Sequence, residues 1–105
     1  MVRMHIWLRR KDGMSVEDFR DYWVTKHAPI VRDGYANLRG YEIHTVTRVP
    51  GGADAPYDGL GILSWDSRDD FKADIASPAA QAATHDMATF TSASGVLFVE
   101  TDVVK

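Results

Sequence analysis

An α+β sandwich of order β-α-β-β-α-β, one four-stranded antiparallel sheet with its helices on a single face, is the fold class this 105-residue sequence predicts. Three observations carry it. Stretches at 2–10, 41–49 and 59–66 alternate with a period of two, and 95–104 is strand-like in composition. Stretches at 15–31 and from Ser67 onward carry apolar residues at helical spacing and follow the first and third strands. Both faces of the first and third strands are apolar, although two helices cover only one face of such a sheet.

Each element has its own local logic. In the first strand Met4, Ile6 and Leu8 point one way and Arg3, His5 and Trp7 the other, and Asp12-Gly13 supplies the turn that follows. Ser15 is a good N-cap, with Asp18 completing a capping-box-like pair. Val16, Phe19, Trp23, His27 and Ile30 then share one stripe, and Pro29 predicts that the helix ends or bends at Ala28. Residues 32–40 read as a loop or a frayed turn. The second strand sets Tyr41, Ile43 and Thr45 against Glu42, His44 and Val46, and the Gly/Pro-rich segment 50–58 is a hairpin-like loop. The third strand sets Gly59, Gly61, Leu63 and Trp65 against Leu60, Ile62 and Ser64. Ser67 caps a helix with Phe71 and Ile75 four apart, and Ser77-Pro78 restarts it with Ala80, Ala83, Met87 and Phe90 as its inward stripe. The pattern does not settle which face of the last strand points inward. This order is that of the ferredoxin-like sandwich. With no repeats or linkers, residues 1–105 read as a single domain.

Composition narrows the function. At 45% hydrophobic and 26% charged, the chain is that of an ordinary globular protein. A net charge of −3 argues against nucleic acid or an anionic membrane as partner, and the run Arg9-Arg10-Lys11 decorates a solvated strand end. The absence of cysteine removes disulfides, thiolate nucleophiles and cysteine-held metals. No apolar run approaches the ~20 residues of a membrane span, and the N-terminal stretch is short for a signal peptide, so a cytoplasmic location is expected. The two-faced strands predict a homodimer that covers the open sheet face.

Chemistry is expected between sheet and helices. Two glycines on one strand face, Gly59 and Gly61, suggest that space is wanted above them. Met4, Ile6, Leu8, Phe19, Trp23, Leu63, Trp65, Phe71, Met87 and Phe90 would wall a cavity for a flat, largely hydrophobic small molecule. The competing reading is that bulky neighbours fill the gap. His27 and Tyr41 are the polar groups able to reach this space, one as general base or acid, the other as donor to a developing oxyanion. On spacing alone, a histidine such as His27 on an apolar stripe is more often a packed residue satisfied by one carbonyl. His5 and His44 fall on the other sheet face and His85 off the apolar stripe. No HxH or HxxxH spacing announces a metal, so no metal site is expected.

The runs FRDYWVTKHAPIV, LRGYEIHTV and DGLGILSWDS, with SPAAQAA and VLFVE after them, resemble the EthD family over nearly the whole chain. The resemblance implies a dimeric α/β barrel, a homodimer with a pocket between sheet and helices in each subunit, and a reaction run without metal or organic cofactor. His27 matches the histidine of the family's helix motif. In methylmuconolactone isomerases, which the chain also resembles, the matching histidine and a tyrosine at the position of Tyr41 are implicated in catalysis, but their pocket cysteine has no counterpart here. The strand histidine of plant polyketide cyclases aligns with Met4, not with His5. The leading expectation is a cofactor-independent enzyme using acid/base catalysis, of isomerase, dehydratase or cyclase type, on a small cyclic, aromatic or polyketide-like molecule. Alternatives are a cofactor-free oxygenase of phenolic or anthrone substrates, and a non-catalytic small-molecule-binding or accessory protein of an oxygenase system.

Overall fold

The computed structural model describes all 105 residues, Met1–Lys105. Strands β1 (Val2–Arg10), β2 (Gly40–Thr45), β3 (Gly59–Trp65) and β4 (Thr91–Phe98) form one antiparallel sheet in the order β2-β3-β1-β4. Register sets the inward rows: Tyr41, Leu63, Met4 and Phe98 lie side by side, then Ile43, Gly61, Ile6 and Val96. Helices pack on that face, and the α+β fold is ferredoxin-like.

Two strands differ in extent from the alternation. The second stops at Thr45, not Val49, because its partner β3 begins at Gly59, directly opposite. The last runs Thr91–Phe98 instead of 95–104. It pairs with β1 across a bulge at Arg9/Arg10 and ends beside the start of β1, Val99 N–H making the final bond to the Arg3 carbonyl. A strand lasts only as long as its neighbour can bond it.

The first helical region also outlasts its proline. Helix α1 (Val16–Tyr22) passes through a π turn (Trp23–His27) into α2 (Ala28–Gly34) with helical backbone at both junctions. In an α-helix the Pro29 ring would collide with the carbonyl four residues back, and no N–H exists there to bond it. The wide turn, in which the Ala28 N–H bonds the Trp23 carbonyl, relieves this and keeps the chain helical to Gly34. Ser15, Ser67 and Ser77 cap α1, α3 (Arg68–Ile75) and α4 (Pro78–Phe90) as the sequence predicts.

The core has two parts. Met4, Val31, Tyr35, Leu63, Trp65, Ala80 and Ala83 form one cluster, and Leu8, Phe19, Trp23 and Phe90 the other. The Asp74 carboxylate staples the first: buried on α3, it accepts from the Trp65 indole at 2.8 Å and from the Asn37 backbone at 3.2 Å. The molecule is a plate of 41 × 37 × 19 Å, and the sheet face opposite the helices has no cover. Trp7, Leu60, Ile62 and Leu97 stand on it, Leu97 58% exposed. No helix is long and apolar enough to cross a membrane.

Candidate functional site

Between the two core clusters lies a cavity of about 170 Å³. Met4, Ile6 and Leu8 of β1, Leu63 of β3, Tyr41 of β2 and Val96 of β4 form its floor. Trp23, His27 and Val31 of the first helical region, Tyr35 just after it, and Ile75, Ala83, Thr84 and Met87 of α3 and α4 form its roof. Ile75 and Val96, 42% and 49% exposed, mark its mouth.

The structure therefore brings together His27, Tyr41, Met4, Ile6, Leu8, Trp23, Leu63 and Met87 and leaves the other expected wall residues outside. Phe19 and Phe90 are fully buried behind the roof, where Phe90 packs against His27 with ring centroids 4.9 Å apart. Trp65 and Phe71 meet edge to face beside Asp74, with Phe71 also meeting Phe98 edge-on. Helical spacing tells which face a residue occupies, not how far along the helix the cavity extends, hence the misplacement of Phe71.

Gly59 and Gly61 do not line the cavity, because an indole occupies their space. A methyl group at Gly59 would lie 2.5 Å from the Trp23 ring, and one at Gly61 3.2 Å from it. The glycines leave room for the Trp23 indole against β3, so directly above them a bulky neighbour fills the gap. Their effect on the site is indirect but definite. The seated indole donates its Nε1–H to the Tyr41 hydroxyl at 2.9 Å. An indole nitrogen is only a donor, so this bond takes up a lone pair of Tyr41 and leaves the phenolic proton free. Burial, partly countered by the Trp23 hydrogen bond, pushes the Tyr41 phenol up to about 12, so it stays protonated at neutral pH.

His27 is only 4% exposed and sits at the end of the π turn. Its Nδ1 lies 2.8 Å from Oδ2 of Asp86, whose other oxygen accepts from the Tyr22 hydroxyl at 2.7 Å. Burial would raise the Asp86 carboxyl, but the hydrogen bonds from His27 and Tyr22 outweigh it and hold it below the ordinary range. An ionised carboxylate only accepts, so Nδ1 carries a hydrogen and the neutral ring keeps its lone pair on Nε2. Nε2 has no hydrogen-bond partner in the protein and is not sealed from solvent. No group of three or more His, Asp or Glu side chains is arranged to hold a metal ion.

Asp86 and Tyr35 were not singled out from the sequence. Asp86 reads as a solvated helix residue, yet its place three after Ala83 and four before Phe90 puts it at the edge of the buried stripe. Tyr35 falls in a segment that reads as loop. It is buried at the end of α2 and its phenol is raised, by burial first and then by the Asp74 charge.

The family model described as the EthD domain matches residues 11–94. An ethyl tert-butyl ether D (EthD) family protein from Bacillus halodurans superposes with a TM-score of 0.78 at 16% identity, over 97% of this chain and 100% of that one. An EthD-like protein from Ralstonia eutropha gives 0.78 at 17% identity, over 99% and 94%. A dimeric ferredoxin-like protein of unknown function from Thermobifida fusca gives 0.70 at 20% identity, over 93% and 88%. No curated protein matches the chain in sequence.

Proposed function

The chain belongs to the EthD family, and from that premise we propose that it is a cofactor-independent acid–base enzyme acting on a small cyclic, aromatic or polyketide-like molecule. One observation carries the reading: His27 is held at Nδ1 by an ionised carboxylate while Nε2, unpartnered, belongs to a residue lining an apolar cavity. That is the arrangement of a general base whose tautomer is fixed from behind.

In the proposed reaction Nε2 removes a proton from carbon next to a carbonyl or lactone carbonyl. The Tyr41 hydroxyl donates to the carbonyl oxygen as it gains charge, and Asp86 stabilises the imidazolium that forms. Return of the proton to another carbon completes an isomerisation. Expulsion of a β-hydroxyl, protonated by the imidazolium, completes a dehydration, and attack of the enolate on a second carbonyl completes a cyclisation. All three begin with the same proton transfer, and the apolar walls keep water from the enolate.

The test is deuterium incorporation next to the carbonyl of small cyclic ketones and lactones, followed by proton NMR in D₂O. The wild type should exchange faster than His27→Ala by about 10²-fold or more, the low end for a general base. Equal rates would reject the role of His27. The reading also includes a homodimer through the uncovered sheet face, supported by the apolar side chains there and by the dimeric Thermobifida fusca protein of the same fold.

A further inference from the structure

Size and charge both bear on what the cavity can hold. At about 170 Å³ it is close to the apolar cavity of about 150 Å³ that takes up one benzene. A single ring with a short substituent fills it. Twelve of its fourteen lining residues are hydrophobic, and none is a lysine or arginine. The surface depression adjoining it at Tyr35, Ile75 and Thr84 has none either, its one imidazole being that of His85. The fixed charge nearest His27 is negative, the Asp86 carboxylate. A ligand carboxylate placed here would lose its water, find no cationic partner beyond an imidazolium already shared with Asp86, and meet the field of that same carboxylate.

The polar handle points to the opposite kind of ligand. Trp23 occupies an acceptor position of the Tyr41 hydroxyl, so what Tyr41 offers the cavity is a proton. A neutral oxygen acceptor on a ring satisfies it without bringing charge inside. We infer that the cavity takes an uncharged single-ring carbonyl compound, its oxygen on Tyr41, and rejects ring carboxylates of the same size. This rests on the reading of the cavity as the reaction site, and narrows it: substrates that carry a free carboxylate are excluded.

Three single-ring probes separate the terms: acetophenone (ring and carbonyl), benzoate (ring and carboxylate, of the same heavy-atom count) and toluene (ring alone). Affinities are measured by ligand-observed NMR at pH 8, and the carbonyl carbon of ¹³C-labelled acetophenone is followed in the wild type. Acetophenone should bind about tenfold or more tightly than either of the others, with its carbonyl resonance moved downfield by the Tyr41 hydrogen bond. Tyr41→Phe should remove the advantage over toluene. Benzoate binding as well as acetophenone, no binding by any probe, or an unmoved carbonyl resonance overturns the inference, the last even if Tyr41→Phe does not fold. Acetophenone selectivity without deuterium exchange into any ketone would sink the proposed reaction and leave this inference standing. Benzoate preference with exchange intact would do the reverse.

Discussion

Asp86 and His27, 59 positions apart in the chain and on different helical elements, meet at 2.8 Å through Oδ2 and Nδ1. The contact decides which nitrogen of His27 is the base. In Asp86→Asn the amide can offer either its oxygen or its N–H₂ to the ring, so the tautomer is no longer fixed. Turnover should fall by about 10²- to 10⁴-fold, the upper figure being that of the serine-protease analogue. Nitrogen-15 NMR of His27 should show Nε2 free of hydrogen in the wild type and partly protonated in the variant. An unchanged tautomer would contradict the assignment.

The same carboxylate makes stability depend on acid. Its folded pKa is depressed, so the hydrogen bonds from His27 and Tyr22 stabilise the fold above the unfolded carboxylate value and are lost as pH falls through the folded one. Urea unfolding should therefore find wild type more stable than Asp86→Asn at pH 7, with the gap closing below about pH 4. A gap as wide at pH 3 as at pH 7 would be inconsistent with the shift.

At the alkaline end Tyr41 acts in the other direction. Burial raises its phenol to about 12, so between pH 10 and 12 the unfolded chain ionises first and stability falls with rising pH. Tyr41→Phe lacks that slope but leaves the Trp23 indole N–H without its partner, at a cost of about 1–3 kcal/mol near neutrality. The variant should be less stable than wild type at pH 8, with a smaller deficit at pH 11. Parallel curves would argue against a buried phenol.

Gly59→Ala tests the seat of the indole. The new methyl would lie 2.5 Å from the Trp23 ring and 3.3 Å from the His44 carbonyl oxygen, and backbone there cannot yield cheaply. Overpacking of this kind costs about 1–3 kcal/mol, which lowers Tm by roughly 4–8 °C per kcal/mol in a domain of this size. A melting temperature equal to wild type would mean that Trp23 is free to move.

Ile62→Glu places a charge at the middle of the uncovered sheet face, beside His5. Sedimentation equilibrium at micromolar concentration should give a dimer for wild type and a monomer for the variant, with matching far-UV circular dichroism. A monomeric wild type would remove the homodimer from the proposal.

The fold was largely legible because its signals are local. Alternation in β1 and β3, three serine caps and the Phe19–Trp23–His27 stripe each depend on a few neighbouring residues. What escaped depends on partners distant in sequence. Asp86 is a surface residue by type and becomes part of the site only because α4 passes His27. Gly59 and Gly61 announce room above β3, but nothing in their own segment says that Trp23 fills it. The helix to Gly34 escaped because Pro29 breaks an α-helix and only a π turn accommodates it. Where β4 ends was hidden for the same reason, since β1 sets it.

The π turn between Trp23 and His27 makes the spacing of this segment all-or-nothing. Deleting one position among Val24, Thr25 and Lys26 would close the wide turn to an ordinary α-helical one and set the Pro29 ring against the carbonyl four residues before it. Proline and wide turn thus form a unit that tolerates changes of side chain far better than a change of length by one.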